Sequence, residues 1–208
     1  IFERGLLYKG FKIVPYCPRC GTPLSSHEVA QGYKDVKEKS AIAKFKVKGK
    51  EGEYFLAWTT TPWTLPSNVA LCVNANETYV KIKNNDEIYI LAEALIPSVI
   101  EGEYETLETY SGKDLEFMEY EPLFDFANPD KKAYFVVCDD YVTLTDGTGI
   151  VHIAPAFGED DSRVGRKYDL PFVQLVDSKG EMTKETPWAG MFCKDADKEV
   201  FKALAESG

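Results

Sequence analysis

The sequence predicts an α+β fold with a β-barrel-rich core and helices on its outside. Short stretches of strand-type residues recur between turn signals, and few helical patterns interrupt them. Ala43, Phe45 and Val47 alternate with lysines, which is the period-two pattern of a half-exposed strand. Further strands are predicted at 11–16, 53–60, 68–73, 78–83, 87–92, 116–120, 133–138, 149–153 and 172–177.

The remaining segments carry turn and helix signals. The polar triplets at 84–86 and 178–180 indicate hairpin turns. Helical patterns occur at 1–8, 92–101, 160–168 and 195–207. We expect the second to be bent or broken near Pro97. Asp195 is the predicted N-cap of the last helix, whose apolar residues lie on one stripe.

Length and composition indicate a globular protein. The 208 residues, 44% apolar and 28% charged, suffice for one large domain with an appendage. We divide the chain into a connecting segment, 1–39, and a main domain, 40–208. We expect a monomeric piece of a longer cytoplasmic protein. No apolar run suits a membrane span, and the odd, scattered cysteine count indicates a reducing compartment.

The charge balance limits how a nucleic acid would be bound. With 24 basic and 34 acidic residues, the formal net charge is −10. Gripping a phosphate backbone relies on Lys and Arg replacing counterions. If the substrate is a nucleic acid, we therefore expect only its end to enter this domain, or another part of a larger protein to hold it.

The stretch Thr59–Asn68 follows an apolar run, Tyr54–Trp58, that indicates a buried strand. Pro62 and Pro66 each remove a backbone donor and fix φ, so we expect that the chain neither continues as a central strand nor enters a helix here, and forms a stiff loop. The simplest interpretation is a turn whose hydroxyls satisfy local backbone groups. The functional interpretation is a loop that holds a water molecule and ribose hydroxyls.

A second polar stretch runs from Asp146 to Asp161. A Gly-Thr-Gly turn opens a strand that ends at His152, and Glu159, Asp160 and Asp161 stand at a predicted helix start. The positive end of a helix stabilises a carboxylate by roughly 0.3–1 kcal/mol. These carboxylates either cap the helix or place one group inward to hold an ammonium. Composition alone indicates that His152 is a hydrogen-bonded strand residue rather than a base.

If both strand ends open at the same rim, the two stretches line one pocket. Threonine hydroxyls, an amide, an imidazole and a carboxylate would suit a small polar substrate that carries a positive charge. The set contains neither a nucleophile with its base nor the ligands of a closed zinc site.

Cys17 and Cys20 form a Cys-x-x-Cys pair, which is half of a zinc ribbon. The other three cysteines stand alone in the sequence, and His27 is a candidate third ligand. We expect a half-site completed by residues outside this chain rather than a full site within it.

Several motifs together resemble the editing domain of the isoleucyl-tRNA synthetases, an insertion in their class I catalytic domain. The motifs are Thr59–Asn68, Gly147–His152, Ala154–Asp161, Gly190–Phe192 and Lys194–Asp197. Valyl and leucyl relatives carry an arginine at the position of Thr61 and lack the Trp63-Thr64 continuation. The HIGH and KMSKS signatures of amino-acid activation are absent from the sequence, so the resemblance implies no synthetic activity here.

The resemblance implies a proofreading reaction. One methylene distinguishes isoleucine from valine and is worth only about 1–3 kcal/mol in a binding pocket. A second pocket therefore hydrolyses the valine ester at the 3′ end of tRNA(Ile), and valyl-adenylate. The implied partners are that tRNA end and the rest of the synthetase. No cofactor is implied for editing, and a structural zinc is implied in the full-length enzyme through Cys17 and Cys20.

The resemblance also implies roles for the loop residues, carried over by position. Thr59, Thr60 and Thr61 line the cleft. Thr61 and Asn68 lie near the hydrolytic water, and Trp63 walls the pocket or holds its loop. The family mechanism uses positioned water and a neighbouring ribose hydroxyl, which agrees with the lack of a nucleophile.

On the other side of the cleft, the resemblance implies that Asp161 binds the ammonium of valine. His152 contacts the substrate near its side chain and helps set the size limit, without acting as the general base. Phe157 departs from the pattern, since many bacterial members have a second histidine there. The role of that position is not carried over.

Three alternatives stay open. In the first alternative, the chain is an aminoacyl-adenosine-binding module with little turnover. In the second, it is the editing domain of a valyl- or leucyl-type relative. The third alternative is a metal-dependent hydrolase that uses His27, His152 and the acidic cluster.

Overall fold

Ten strands in three sheets form the framework of the computed structural model, which describes residues 1–207. The strands are β1 (Tyr16–Cys17), β2 (Thr22–Pro23), β3 (Ala41–Lys46), β4 (Glu53–Thr59), β5 (Ala70–Val73), β6 (Thr78–Asn84), β7 (Glu87–Ala92), β8 (Glu105–Ser111), β9 (Phe135–Cys138) and β10 (Val151–Ile153). The α-helices are α1 (Ser26–Gln31), α2 (Ile96–Val99), α3 (Glu159–Lys167) and α4 (Cys193–Ser207). Short 3-10 helices span Phe2–Arg4, Pro62–Ser67, Glu93–Leu95 and Gly112–Leu115.

The sheets confirm the α+β class but do not form a closed barrel. The largest has the order β3-β4-β7-β6-β8, the next β10-β5-β9, and β1 pairs with β2. The pairs β4–β7 and β5–β9 are parallel, and the other pairs are antiparallel. Among residues 1–207 the ladders of the largest sheet end at β3 and β8, so its edges do not join as a barrel requires.

The main core fills the space between the two larger sheets. Phe45, Phe55 and Ile90 come from the five-stranded sheet, and Leu71 and Val136 come from the three-stranded sheet. These side chains are fully buried, and each contributes roughly 1.5–3 kcal/mol through removal from water. The facing sheets hold the ends of β4 and β10 in fixed positions.

Helices cover the outer faces. In one separate cluster, Val164 of α3 packs with Val137 and Ile153 of the three-stranded sheet. In another, Ile96 of α2 packs with Leu91 of the five-stranded sheet. The predicted β-rich core with peripheral helices is therefore confirmed in this open, two-sheet form.

Most predicted strands are confirmed, although several are shorter than predicted. The predictions for 116–120 and 172–177 are wrong, because these segments make only isolated bridges, such as Val176 with Met182. Phe117 has a φ of 69°, which breaks the extended backbone that a strand needs. The predicted strand at 11–16 is also wrong, since only its last residue, Tyr16, is part of β1.

Strand β8 and helix α1 are among the elements that escaped prediction. Strand β8 is exposed at nearly every position, so it lacks the apolar alternation that identifies a strand. Helix α1 begins with a capping box, in which Ser25 and Glu28 exchange hydrogen bonds. The Ser-x-x-Glu spacing is a signal that could have identified it.

The helix predictions at 160–168 and 92–101 are confirmed, the latter as a 3-10 turn followed by α2. The prediction at 1–8 is wrong apart from one 3-10 turn, which ends at Gly5 with a φ of 67°. Asp195 is not an N-cap, because α4 begins at Cys193 and the Asp195 amide already donates to Phe192. Within residues 1–207 no helix is both long and apolar enough to cross a membrane.

The segment 1–39 lies outside the cores. None of its residues is buried, whereas buried residues begin at Ala43. Phe11 stacks on Phe172 with ring centroids 4.6 Å apart, and Glu38 forms an ion pair with Lys194. The division at residue 40 stays a prediction.

Candidate active site

The Thr-rich loop and the stretch around β10 open into one cavity of about 310 Å³. It is lined by Trp58, Thr59, Thr60, Thr61, Trp63, Thr64, Val151, His152, Phe157, Gly158 and Asp161. The two stretches meet because β10 lies beside β4 and the turn before β10 packs on β4. Gly147, with a φ of 77°, packs closely on β4, since a Cβ there would lie 3.0 Å from Trp58 Cβ.

The loop after β4 is a 3-10 helix rather than an irregular turn. Thr61 is its N-cap, and Pro62 occupies the first helical position, where a missing N–H leaves no bond unmade. The bonds Thr64 N–H to Thr61 O and Asn68 N–H to Leu65 O close the tight turns. The prediction that the prolines exclude any helix is therefore wrong, because this short form tolerates them.

Threonine hydroxyls form a chain along the cavity wall. The Thr61 amide donates to Thr59 Oγ1 over 3.0 Å. Thr61 Oγ1 lies 3.4 Å from Thr59 Oγ1 and 3.3 Å from Thr64 Oγ1. Thr60 is exposed at the same wall. The structure therefore brings all three predicted threonines to the cavity, together with Thr64, which the sequence reasoning missed.

His152 is held by Thr64. A hydrogen bond of 3.0 Å joins His152 Nε2 to Thr64 Oγ1, and Thr64 Oγ1 also lies 2.8 Å from Thr61 O. The histidine is 7% exposed, and in the part of the chain that the structure describes its buried Nδ1 has no hydrogen-bond partner. Burial lowers the pKa of His152 to about 4, so the imidazole is neutral near pH 7.

Asp161 turns towards the cavity, while Asp160 faces outward. Asp161 Oδ2 accepts from the Ala154 amide over 3.0 Å, and Asp160 pairs with Arg163 over 3.0 Å. Helix α3 takes Gly158 as its N-cap, so neither aspartate caps it. Burial raises the pKa of Asp161 to about 6, although the Ala154 amide acts in the opposite direction. Asp161 is a partly buried carboxylate that forms no ion pair within residues 1–207, which suits an ammonium ligand.

Two aromatic rings form the apolar wall. Trp63 and Phe157 meet edge to face, with ring centroids 5.1 Å apart. Both pack against a small cluster that includes Met182 and Ala196 of the C-terminal part. The Trp63 backbone amide donates to Asp197 of α4 over 3.0 Å. No local sequence signal indicated this partner.

Asn68 is not among the residues that line the cavity. Its Oδ1 accepts from the Tyr120 hydroxyl over 2.6 Å, and its Nδ2 donates to Ala70 O over 2.8 Å. It is 4% exposed. With both ends of its amide bound inside the core, Asn68 is placed to fix the end of the loop, and its role near the hydrolytic water stays a prediction.

Cys17 and Cys20 lie on the β1–β2 hairpin with free thiols, and the Cys20 amide donates to Cys17 Sγ over 3.3 Å. Two sulfur donors on one tight turn fit half of a zinc site. His27 is hydrogen-bonded to Gln31 on α1. Across residues 1–207 no three His, Cys, Asp or Glu side chains are grouped to hold a metal. His27 and His152 therefore do not form the donor set of a metal-dependent hydrolase, and the half-site stays a prediction.

Comparison with known proteins places the chain in a family. A model described as "tRNA synthetases class I (I, L, M and V)" matches residues 1–188. The chain belongs to this class I tRNA synthetase family. It is 62% identical to an isoleucine–tRNA ligase of Clostridium acetobutylicum and 51% identical to one of Bacillus thuringiensis, in each case over 100% of this chain. It spans only 20% of the length of those class I enzymes.

Solved structures show the fold. The crystal structure of GlLeuRS-CP1 superposes with a TM-score of 0.64 at 16% identity, covering 81% of this chain and 96% of that one. The editing domain of the P. knowlesi cytosolic leucyl-tRNA synthetase gives 0.62 at 13% identity, covering 85% and 96%. This class I chain therefore has the fold of a synthetase editing domain, as predicted.

Proposed function

We propose that this chain is the proofreading domain of an isoleucine–tRNA ligase, and that it hydrolyses the ester of valine attached to tRNA(Ile). Valyl-adenylate is a second substrate of the same pocket. The observation that carries the proposal is that Asp161, Thr59 and Thr61 line the same cavity. The identity to isoleucine–tRNA ligases along the whole chain narrows the parent enzyme.

Asp161 binds the ammonium of the misattached valine. The carboxylate lies in a partly buried site where its charge is poorly solvated, so a cation there is attracted more strongly than in water. The Ala154 amide fixes one carboxylate oxygen and leaves the other for the ligand. This contact orients the ester carbonyl relative to the threonine wall.

The threonine hydroxyls position the attacking water. The water oxygen bonds to the ester carbonyl carbon, the bond from that carbon to the ribose oxygen breaks, and a proton lost by the water is taken up by the ribose oxygen, which leaves as a hydroxyl. Thr61 Oγ1 is the central hydroxyl of the wall, within hydrogen-bonding range of both neighbours. Orientation and preplaced dipoles supply the catalysis, because no side chain becomes acylated.

The cavity selects by size. His152 is fixed by Thr64, and Trp63 is fixed by Phe157 and Asp197, so neither wall can yield easily to an added methylene. Isoleucine then fails to seat its ester beside the threonines. The neutral imidazole of His152 contributes shape and a polar edge, not proton transfer.

The remaining parts of the enzyme complete the reaction in a cytoplasmic setting. The formal charge of −10 gives this domain little attraction for a phosphate backbone, so the other domains hold the tRNA and deliver its 3′ end. Cys17 and Cys20 supply half of a structural zinc site whose other ligands lie in those domains. The metal would stabilise the connection and take no part in hydrolysis.

Deacylation of valyl-tRNA(Ile) by the purified chain tests the proposal. We expect hydrolysis by the wild type at low salt, a loss of about a hundredfold in Asp161→Ala, and little change in Glu159→Ala. Glu159 carries the same charge on the exposed side of the helix start. Full activity of Asp161→Ala would contradict the assigned ammonium contact. Sensitivity to a strong chelator would favour a metal-dependent hydrolase.

A second candidate is an aminoacyl-adenosine-binding module with little turnover. The net charge of −10 favours this candidate, as does the chain's span of only 20% of its relative's length, because the domains that hold the tRNA would lie elsewhere. Binding of a non-hydrolysable valyl-adenosine analogue without deacylation at any salt concentration would identify this case.

A further inference from the structure

A carboxylate from the C-terminal helix caps the start of the Thr-rich loop. Trp63 is the second residue of the 3-10 helix Pro62–Ser67, and its amide donates to Asp197 Oδ1 over 3.0 Å. The first amides of a helix lack partners within it, and the N-cap side chain ordinarily satisfies one of them. In the described chain the N-cap, Thr61, makes no such side-chain bond. Asp197, 134 residues away, does so in its place.

Because Asp197 accepts from the Trp63 amide, the Thr61 hydroxyl is available to the cavity. A threonine that capped its own helix would turn Oγ1 towards the helix amides. Here Thr61 Oγ1 instead lies between Thr59 Oγ1 and Thr64 Oγ1. The charge of Asp197 also stabilises the positive end of the short helix. The position of the proposed water-binding hydroxyl therefore depends on a residue outside the cavity.

Asp197 is itself held in place. Its second oxygen, Oδ2, pairs with Lys194 over 3.1 Å, and Lys194 Nζ also binds Glu38 over 2.9 Å. Ala196 and Val200 anchor this part of α4, since both are fully buried. The carboxylate thus links the loop to the helix, and through Glu38 to the N-terminal segment.

We propose that Asp197 is a positioning residue for the editing site, which holds the Thr61–Thr64 turn so that the Thr61 hydroxyl faces the substrate. The inference rests on the proposed function for its catalytic consequence. Its structural part, the cap on Trp63, can be tested without activity.

The test compares Asp197→Ala, Asp197→Asn and Asp195→Ala in the same 208-residue chain. Asp195 lies in the same helix turn and is exposed, so its replacement matches the change in charge. We expect Asp197→Ala to lower kcat for valyl-tRNA deacylation about tenfold, equivalent to about 1.4 kcal/mol, with KM within about twofold. Asp197→Asn keeps an oxygen acceptor and should retain most of kcat, and Asp195→Ala should match the wild type.

Amide exchange supplies the second readout. In Asp197→Ala the Trp63 amide should exchange at least about tenfold faster than in the wild type, because it loses its acceptor. If that variant does not fold, Asp197→Ser, too short to reach Trp63, is measured instead with the same expectations. Unchanged kcat and exchange, or an equal loss in Asp195→Ala, would overturn the inference. A wild-type chain that never deacylates valyl-tRNA would refute the proposed function, whereas unprotected exchange at Trp63 would refute the cap.

Discussion

The affinity for a valyl-adenosine ligand should depend on pH through Asp161. Burial raises the pKa of this carboxyl to about 6, so below about pH 6 most of the free protein holds a proton there that must leave before an ammonium can bind. His152, with a pKa lowered to about 4, stays neutral across the range from pH 5 to 7. The α-amino group of the ligand, with an ordinary pKa of about 7.7–8.0, stays charged over that range. Asp161 is then the titrating group that decides binding.

The magnitude follows from the pKa. With a value of about 6, the carboxyl is roughly 90% ionised at pH 7 and roughly 10% ionised at pH 5. The apparent Kd should therefore rise about tenfold as the pH falls from 7 to 5. The raised pKa of Asp161 also affects the stability of the fold. Because the native chain holds this proton more tightly than the unfolded chain, ionising Asp161 lowers the stability of the fold as the pH rises from about 4 to 6. Asp161→Asn should consequently raise the Tm at pH 7.

Calorimetry with a non-hydrolysable valyl-adenosine analogue at pH 5, 6 and 7 measures the effect without interference from ester hydrolysis. Adenosine alone is the control ligand, because it lacks the ammonium and should bind independently of Asp161. In Asp161→Asn the analogue should bind weakly at every pH. A Kd that is equal at pH 5 and 7, or a pH dependence that survives in Asp161→Asn, would refute the reasoning.

Three further substitutions test the walls of the cavity and the loop. His152→Ala should narrow the preference for valyl- over isoleucyl-tRNA(Ile) at least about tenfold, and unchanged discrimination in parallel deacylation assays would remove this ring from the size filter. Thr61→Val, which keeps the shape but loses the hydroxyl, should lower kcat about tenfold with KM little changed, whereas a loss confined to KM would indicate recognition. Asn68→Ala should cost about 2 kcal/mol and lower the Tm by roughly 4–8 °C, because it leaves the buried Tyr120 hydroxyl and Ala70 carbonyl unpaired. The exposed Asn76→Ala is its control, and equal Tm values would disprove the structural role.

The sequence was sufficient where local patterns reflect burial. Strand β4 was predicted from an apolar run and β3 from alternation, because those patterns are consequences of which faces enter the core. The cavity was predicted in outline because its two halves lie at strand ends, next to residues of unusual composition. The exposed strand β8 escaped prediction for the same reason, since pairing with β6 rather than a buried face holds it.

Local sequence patterns did not predict hydrogen bonds between residues that are distant in the chain. Asn68 stands beside the threonines in the sequence, but its amide is bound to Tyr120, 52 residues away, and so leaves the cavity. Asp197 shows the reverse case, because it is remote in the sequence and contacts the loop directly. The residue types and their spacing in the sequence indicate which chemical groups a side chain can bind. Which of its possible partners it finds depends on the tertiary packing of β5, β9 and α4.

The Thr-rich loop illustrates how polar groups are kept free for a ligand. Left to itself, a turn with three adjacent threonines would satisfy its own amides with its own hydroxyls, which was the simplest interpretation of the motif. Here Asp197, which lies outside the loop, accepts from the Trp63 amide, and within the loop Thr59 accepts from the Thr61 amide. Thr61 keeps a hydroxyl whose neighbours are other hydroxyls. A site without a nucleophile needs groups in that state, because its catalysis depends on how a water molecule is oriented.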